Sequence, residues 1–144
     1  MHFGADIPFV HHLGFELQRM EGGESLIAYQ ARPEHLNSFG VTHGGAVMTL
    51  MDVAMAVAAR SIQKDMGVVT IEMKTTFMQP SRGLLAARGR LMHRTATLAF
   101  CEATISDEAG AACAHATGTG TFKYVPRLPV GRKGTHAFNV ISTD

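Results

Sequence analysis

The sequence of 144 residues has no tryptophan, only two cysteines, and no apolar run longer than Ala46–Ala59. Each shortage excludes something. Two cysteines, Cys101 and Cys113, are too few for a disulfide scaffold or a zinc site of recognisable spacing. The apolar run falls short of the roughly 20 residues that a membrane-spanning helix needs. Thirteen Lys+Arg against twelve Asp+Glu give a net charge of +1, so no positive field invites nucleic acid or an anionic membrane. Charged residues make up 17%, below the quarter or so that is usual, which leaves little polar cover and favours burial of some surface in an oligomer. Met1–Met20 lacks both the basic start and the continuous apolar stretch of a secretory signal, so a cytoplasmic protein is expected.

The chain is long enough for one domain and too short for two cores. Ala46–Ala59 is apolar except at Thr49 and Asp52, and its Ala, Leu and Met content favours helix. With almost no polar face it must be covered nearly all round, so one buried helix opens after Thr42-His43-Gly44-Gly45 and ends near Arg60-Ser61. Val68–Phe77 then alternates as a half-buried strand, followed by strands over Leu84–His93, Thr97–Ser106 and Ala111–Lys123. Gly14–Met20 and Ser25–Ala31 form a hairpin before the helix. Short connections make the set antiparallel. The fold class is therefore α+β, a curved antiparallel sheet of about six strands wrapped around one long central helix. Residues 1–125 make the domain and residues 126–144 an extended tail.

Two details of register follow. If Asp107–Gly110 is the turn, Ser106 pairs with Ala111, Cys113 lies opposite Thr104, and the two sulfurs point to opposite faces, both as buried reduced thiols. Strict alternation puts Thr70 on the face of Glu72 and Lys74, away from Ile71 and Met73, unless the strand start is twisted or that face lines a subunit boundary. Thr117-Gly118-Thr119-Gly120-Thr121 lies in a strand pattern with no helix after it, so it is no phosphate loop. His11 and His12 are adjacent and point apart, which makes them surface or packing residues.

An acid in the middle of an apolar helix is costly unless it is paired or used, which makes Asp52 the most informative residue. A solvent-facing or interface-facing Asp on the helix's one open stripe is the plainer reading. His43-Gly44-Gly45 precedes the helix, where glycines admit a ligand closely and free N–H groups can hold an oxyanion. Glu34–Gly40 adds polar side chains on a loop beside the same helix start. Arg82, Arg94, Arg127, Arg132 and Lys133 suit phosphate recognition or are scattered surface charges. Met48, Met51, Met55 and Met73 line a pocket or fill the core.

The run Asn37-Ser38-Phe39-Gly40-Val41-Thr42-His43-Gly44-Gly45, continued by Leu50, Asp52 and Ala54, resembles the signature of hotdog-fold acyl-CoA thioesterases of the phenylacetic-acid-degradation type. The likeness extends from about Leu13 to Tyr124, through a strand ending in an aromatic-Met-x-Pro sequence at Phe77–Pro80. It implies that Asn37, His43 and Gly44 bind or orient a thioester carbonyl. It further implies that Asp52 is the nucleophile or the base for water, and that Thr70 positions the water or the acid. Gly45, Arg82 and Arg94 are candidate substrate contacts. No metal and no redox cofactor are implied.

The alternatives are a hydratase or dehydratase acting on acyl thioesters, and a non-catalytic acyl-CoA-binding regulator. Gly44 and Asp52 lie eight residues apart, or about 12 Å along one helix, too far for one carbonyl to meet both. Two antiparallel copies of the helix across a two-fold axis solve this, giving a homodimer with two shared sites or a dimer of such dimers.

Overall fold

A computed structural model of the chain describes residues 1–117 and 121–127. A short helix α1 (Pro8–Leu13) leads into the hairpin β1 (Glu16–Glu21) and β2 (Glu24–Gln30). A 3-10 turn at Pro33–His35 and a loop precede the long helix α2 (Gly44–Arg60). Six further strands follow: β3 (Met66–Thr70), β4 (Lys74–Phe77), β5 (Leu84–Arg94), β6 (Leu98–Ser106), β7 (Ala112–Thr117) and β8 (Phe122–Pro126). They form one antiparallel sheet in the order β1-β2-β5-β6-β7-β4, with β8 pairing both β3 and β6. This is the expected α+β design, one sheet packed on one long helix.

Eight strands stand where about six were expected, because two long ones are each described in two parts with different partners. The expected strand Val68–Phe77 is broken at 71–73: β3 pairs β8 and β4 pairs β7, so each half follows its own partner. The expected strand Ala111–Lys123 likewise becomes β7 and β8. The glycine-rich run singled out around residues 118–120, and the tail beyond residue 127 with Arg132 and Lys133, lie outside the described residues.

The core is the face of α2 that carries Val47, Leu50, Met51, Ala54, Met55 and Ala58, all nearly inaccessible, against Ile27, Tyr29, Leu85, Ala87, Cys101 and Ile105 of the sheet. Met51 and Met55 are therefore core, whereas Met48 is 40% exposed. What α2 leaves uncovered is a stripe through Gly45, Met48, Thr49, Asp52 and Ala56, the spacing of one helical face.

The cysteine register differs from expectation. The turn closes one residue further in, with the Asp107 N–H donating to the Ala111 carbonyl and Asp107 Oδ1 accepting from the Ala109 and Ala111 N–H groups. Ser106 pairs with Ala112 and Ile105 with Ala114, so Cys113 is the extra residue of a bulge and Thr104 faces His115. The Cys113 carbonyl instead accepts the Met78 and Gln79 N–H groups. Both cysteines are free and fully buried in one core, not on opposite faces, and burial pushes the Cys101 thiol up to about 12.

Candidate active site

The loop before α2 is built to present a helix start. Leu36 and Thr42 bridge its base, the Asn37 N–H donates to Val41 O at 2.9 Å, and Asn37 Oδ1 accepts from the Phe39 and Val41 N–H groups at 2.9 and 3.3 Å. Gly40 has φ +73°, a conformation that favours glycine. The Thr42 N–H is taken by Ser81 O, and His43 caps the helix through Nδ1, which accepts the Gly45 N–H at 2.8 Å. The Gly45 N–H is thus spent within the chain. That of Gly44 has no partner among the described residues, and it stands at the positive end of a helix of 17 residues.

Beside it opens a cavity of about 500 Å³, walled by Asn37, Phe39, Val41, Gly44, Phe77 and Arg82 among others. The Phe77 ring lies so close to Gly44 that a Cβ there would stand 3.4 Å from it. Three rim residues are apolar yet largely open, with Phe39 85%, Phe77 51% and Met78 52% exposed.

Two turns along α2, Asp52 sits half-buried on the uncovered stripe. The Thr70 hydroxyl donates to Asp52 Oδ1 at 2.7 Å. The alternation expected through Val68–Phe77 stops where β3 ends: Thr70 pairs with Phe122 on the face it shares with Val68, opposite the buried Tyr124, and that face looks toward the helix. Burial raises the Asp52 carboxyl above the ordinary Asp range, while the Thr70 bond pulls it part of the way back. Among the described residues no cluster of three His, Cys, Asp or Glu side chains could hold a metal ion.

The thioesterase superfamily model matches residues 39–114, more than half of the chain. The chain belongs to the thioesterase superfamily. A Saccharolobus solfataricus protein whose name assigns it provisionally to the esterases is 27% identical over 84% of this chain and 85% of its own length. A conserved Pseudomonas aeruginosa protein of known structure superposes with a TM-score of 0.79 at 24% identity, covering 85% of this chain and 97% of its own. A Ralstonia eutropha protein described as related to phenylacetic acid degradation superposes with a TM-score of 0.74 at 25% identity, over 84% and 92% of the two chains. The fold is the hotdog, and the protein is a thioester hydrolase that resembles the phenylacetic-acid-degradation type.

In this thioesterase the residues singled out from sequence fall into two groups. Asn37, Gly44 and Arg82 line one cavity, with the His43 cap at its edge, and Asp52 with Thr70 forms a second cluster further along α2. Arg94 joins neither, for its guanidinium lies 4.3 Å above the Tyr124 ring, near the far end of α2. Arg127 holds the Lys64 and Gly4 carbonyls. Sequence reasoning passed over Phe77 as a strand residue and His35 as one polar loop residue among several. The aromatic ring at the strand's end, in Phe77-Met78-x-Pro80, was the available signal for the first.

Proposed function

We propose that the protein is an acyl-CoA thioesterase in which Asp52 is the nucleophile or the general base and the Gly44 N–H receives the oxyanion. The observation that carries this is the Asp52 carboxylate, half-buried on the single uncovered stripe of an otherwise enclosed helix and bonded to a hydroxyl. A merely structural acid would not be kept there at the expense of its ionised form. Hydrolysis needs an attack on the thioester carbon and a donor for the oxygen that becomes negative. Asp52, as carboxylate, supplies the first either directly or by taking a proton from water, and Gly44 the second. Thr70 orients the carboxylate. Asn37 lines the cavity and, with its Oδ1 committed to its own loop, offers its Nδ2 as a donor to the same carbonyl in this reading, and His43, with Nδ1 capping the helix, holds the Gly44 turn. That commitment of His43 disfavours a hydratase, which would call on a His-acid pair.

The substrate is shared between subunits in this reading. The helical separation of Gly44 and Asp52 is about 12 Å, so the acid of one protomer serves the oxyanion donor of its partner across an antiparallel pair of α2 helices. Four features support the pairing: the uncovered stripe on α2, the exposed Phe39, Phe77 and Met78, the 51% exposed Ile71, and the free sides of β3 and β4, which pair on one side only among the described residues. With Gly44 opposite Asp52, the far end of the partner's α2 comes level with Asn37, which brings the partner's copy of Arg94 toward the end that carries Arg82. Those two arginines are the proposed contacts for the coenzyme phosphates, and Gly45, exposed in the first turn of α2, is proposed to let the ligand approach closely. Two free thiols fit a cytoplasmic setting.

The test has two arms. Incubation with a panel of acyl-CoAs and a thiol-detecting dye should release free thiol, and binding without release would sink the activity. Asn37→Ala and Asp52→Asn proteins, each nearly inactive, are then unfolded and refolded together. A mixed dimer carries both lesions in one site and none in the other, so about a quarter of wild-type sites should return. Verified subunit exchange with no recovered turnover would refute the shared site.

A further inference from the structure

His35 is buried at the foot of the oxyanion loop, yet it is no part of the cavity wall. Its ring is held on every side. It stacks on Tyr29 with centroids 5.9 Å apart, and Tyr29 is itself fixed edge-on against Phe15 in the core at 4.9 Å. The Tyr29 hydroxyl lies 2.8 Å from His35 Nδ1, and the Arg32 N–H donates to the same nitrogen at 3.2 Å. Arg32 Nη2 stands 3.3 Å from Nε2, and the His12 ring closes the remaining edge with centroids 5.9 Å apart. The main chain of His35 is equally engaged. Its N–H donates to Arg32 O at 2.8 Å, and its carbonyl accepts the His43 N–H at 2.9 Å. His43 is the cap of α2 and the residue before Gly44, so the aim of the Gly44 N–H is set by a peptide anchored on the His35 carbonyl.

We infer that His35 is a positioning residue for the thioesterase reaction: its neutral ring, clamped by Tyr29 and Arg32, fixes the carbonyl that anchors His43 and thereby the direction of the Gly44 N–H. The inference rests on the reading of Gly44 as oxyanion donor. Neutrality is required by the neighbours. An imidazolium carries two N–H groups and no acceptor, whereas the neutral ring with its proton on Nε2 leaves Nδ1 to accept the Arg32 N–H, and the Arg32 guanidinium beside Nε2 opposes a second positive charge. Burial acts first against the charge, then the Arg32 cation, with His12 in the same sense; Glu34 alone opposes them, and together they hold His35 below the ordinary His range. Protonation would therefore push the ring away from Arg32 and loosen the loop. Because the folded value is depressed, stability present above the ordinary His range is lost as the pH falls through the folded value.

His35→Leu keeps bulk and removes both ring nitrogens. It should lower kcat by about 10- to 100-fold, the effect of misplacing a donor by up to about 1 Å, with KM within about three-fold. His35→Asn places Oδ1 where Nδ1 stood and cannot be protonated. It should keep kcat within about three-fold of wild type and remove the His35 contribution to the acid limb of the kcat profile, leaving that of Asp52. The Gly44 amide resonance, followed by nuclear magnetic resonance in the ligand-free protein, should move with His35 titration in wild type and stay still in His35→Asn. A stationary Gly44 amide, or a His35→Asn profile identical to wild type, overturns the inference. A Gly44 amide that tracks His35 while kcat of His35→Leu is unchanged upholds the coupling and overturns Gly44 as the oxyanion donor, so the two failures are told apart.

Discussion

Gly89 lies in β5 directly beneath α2, and a side chain there has nowhere to go. A Cβ at this position would stand 2.2 Å from the Ala54 carbonyl oxygen and 2.5 Å from Ser25 Oγ. Ordinary contact requires about 3.5 Å, so Gly89→Ala forces the helix back by roughly 1 Å. The Ser25 hydroxyl donates to that same carbonyl at 2.6 Å, and this buried bond must lengthen or break. Overpacking of a tight core costs about 1–3 kcal/mol, and a stranded buried hydroxyl about 1–3 kcal/mol more. Replacing a strand glycine returns about 0.5–1 kcal/mol, too little to offset either. The net expectation is a loss of about 2–4 kcal/mol, or roughly 6–12 °C in Tm for a domain of this size. Urea and thermal denaturation measure it, with Ser25→Ala as the control at about 1 kcal/mol. In the double variant no hydroxyl is left to strand, so the two losses should fall short of adding. Turnover should fall as well, because Ala54 is two residues from Asp52. A Gly89→Ala protein within 0.5 kcal/mol of wild type would mean that the sheet yields and the helix is not seated as described.

Asp52→Asn should lower kcat by at least about 100-fold in the thiol-release assay while near-wild-type circular dichroism is kept. The same variant should be more stable than wild type at neutral pH, since a carboxyl raised in the fold binds protons more readily there than in the unfolded chain, and stability therefore falls as pH rises through that window. The gain should vanish as pH drops below the ordinary Asp range, and a constant difference across pH would contradict it. Thr70→Val removes the one bond that lowers the Asp52 carboxyl, so the Asp52 part of the acid limb should move to higher pH with a loss in kcat of about 10-fold, smaller than that of Asp52→Asn. An unmoved limb would detach Thr70 from the acid.

Local chemistry explains why the helix and the loop could be read from sequence. The Ala46–Ala59 run admits only a buried helix, and a single acid in it stands out whatever the tertiary structure. The glycines of the His43 turn mark where that helix begins. Register could not be read in the same way. Val68–Phe77 alternates well enough to pass for one strand, but whether it pairs as one depends on β7 and β8, far along the chain. Thr70 faces Asp52 from the side of β3 that its pairing with β8 sets, opposite Phe122. The bulge at Cys113 has the same origin, since its carbonyl is taken by Met78 and Gln79, not by β6.

His35 shows the limit more sharply. Its function depends on Tyr29 in β2, His12 in α1 and the carbonyl it lends to His43, and no spacing rule links those positions. The seating of α2 is hidden for the same reason. Two helix carbonyls in its second half are read by donors from distant segments, Ala54 by Ser25 and Ala59 by the Tyr124 hydroxyl at 2.7 Å, while Ala58 accepts from the Ser61 hydroxyl at the helix's own end. The Ser61 hydroxyl in turn accepts the Gly23 N–H at 2.8 Å, which ties the helix end to the β1–β2 hairpin. Apolar packing resists a small shift of the helix but is non-directional, and it does not by itself select which carbonyl stands at a given level. Directional bonds to individual carbonyls make that selection. A site that divides one reaction between Gly44 and Asp52, at two levels of the same helix, needs its axial position fixed to a fraction of a turn. Small and hydroxyl side chains on the sheet, which as isolated letters look like ordinary strand residues, supply that constraint.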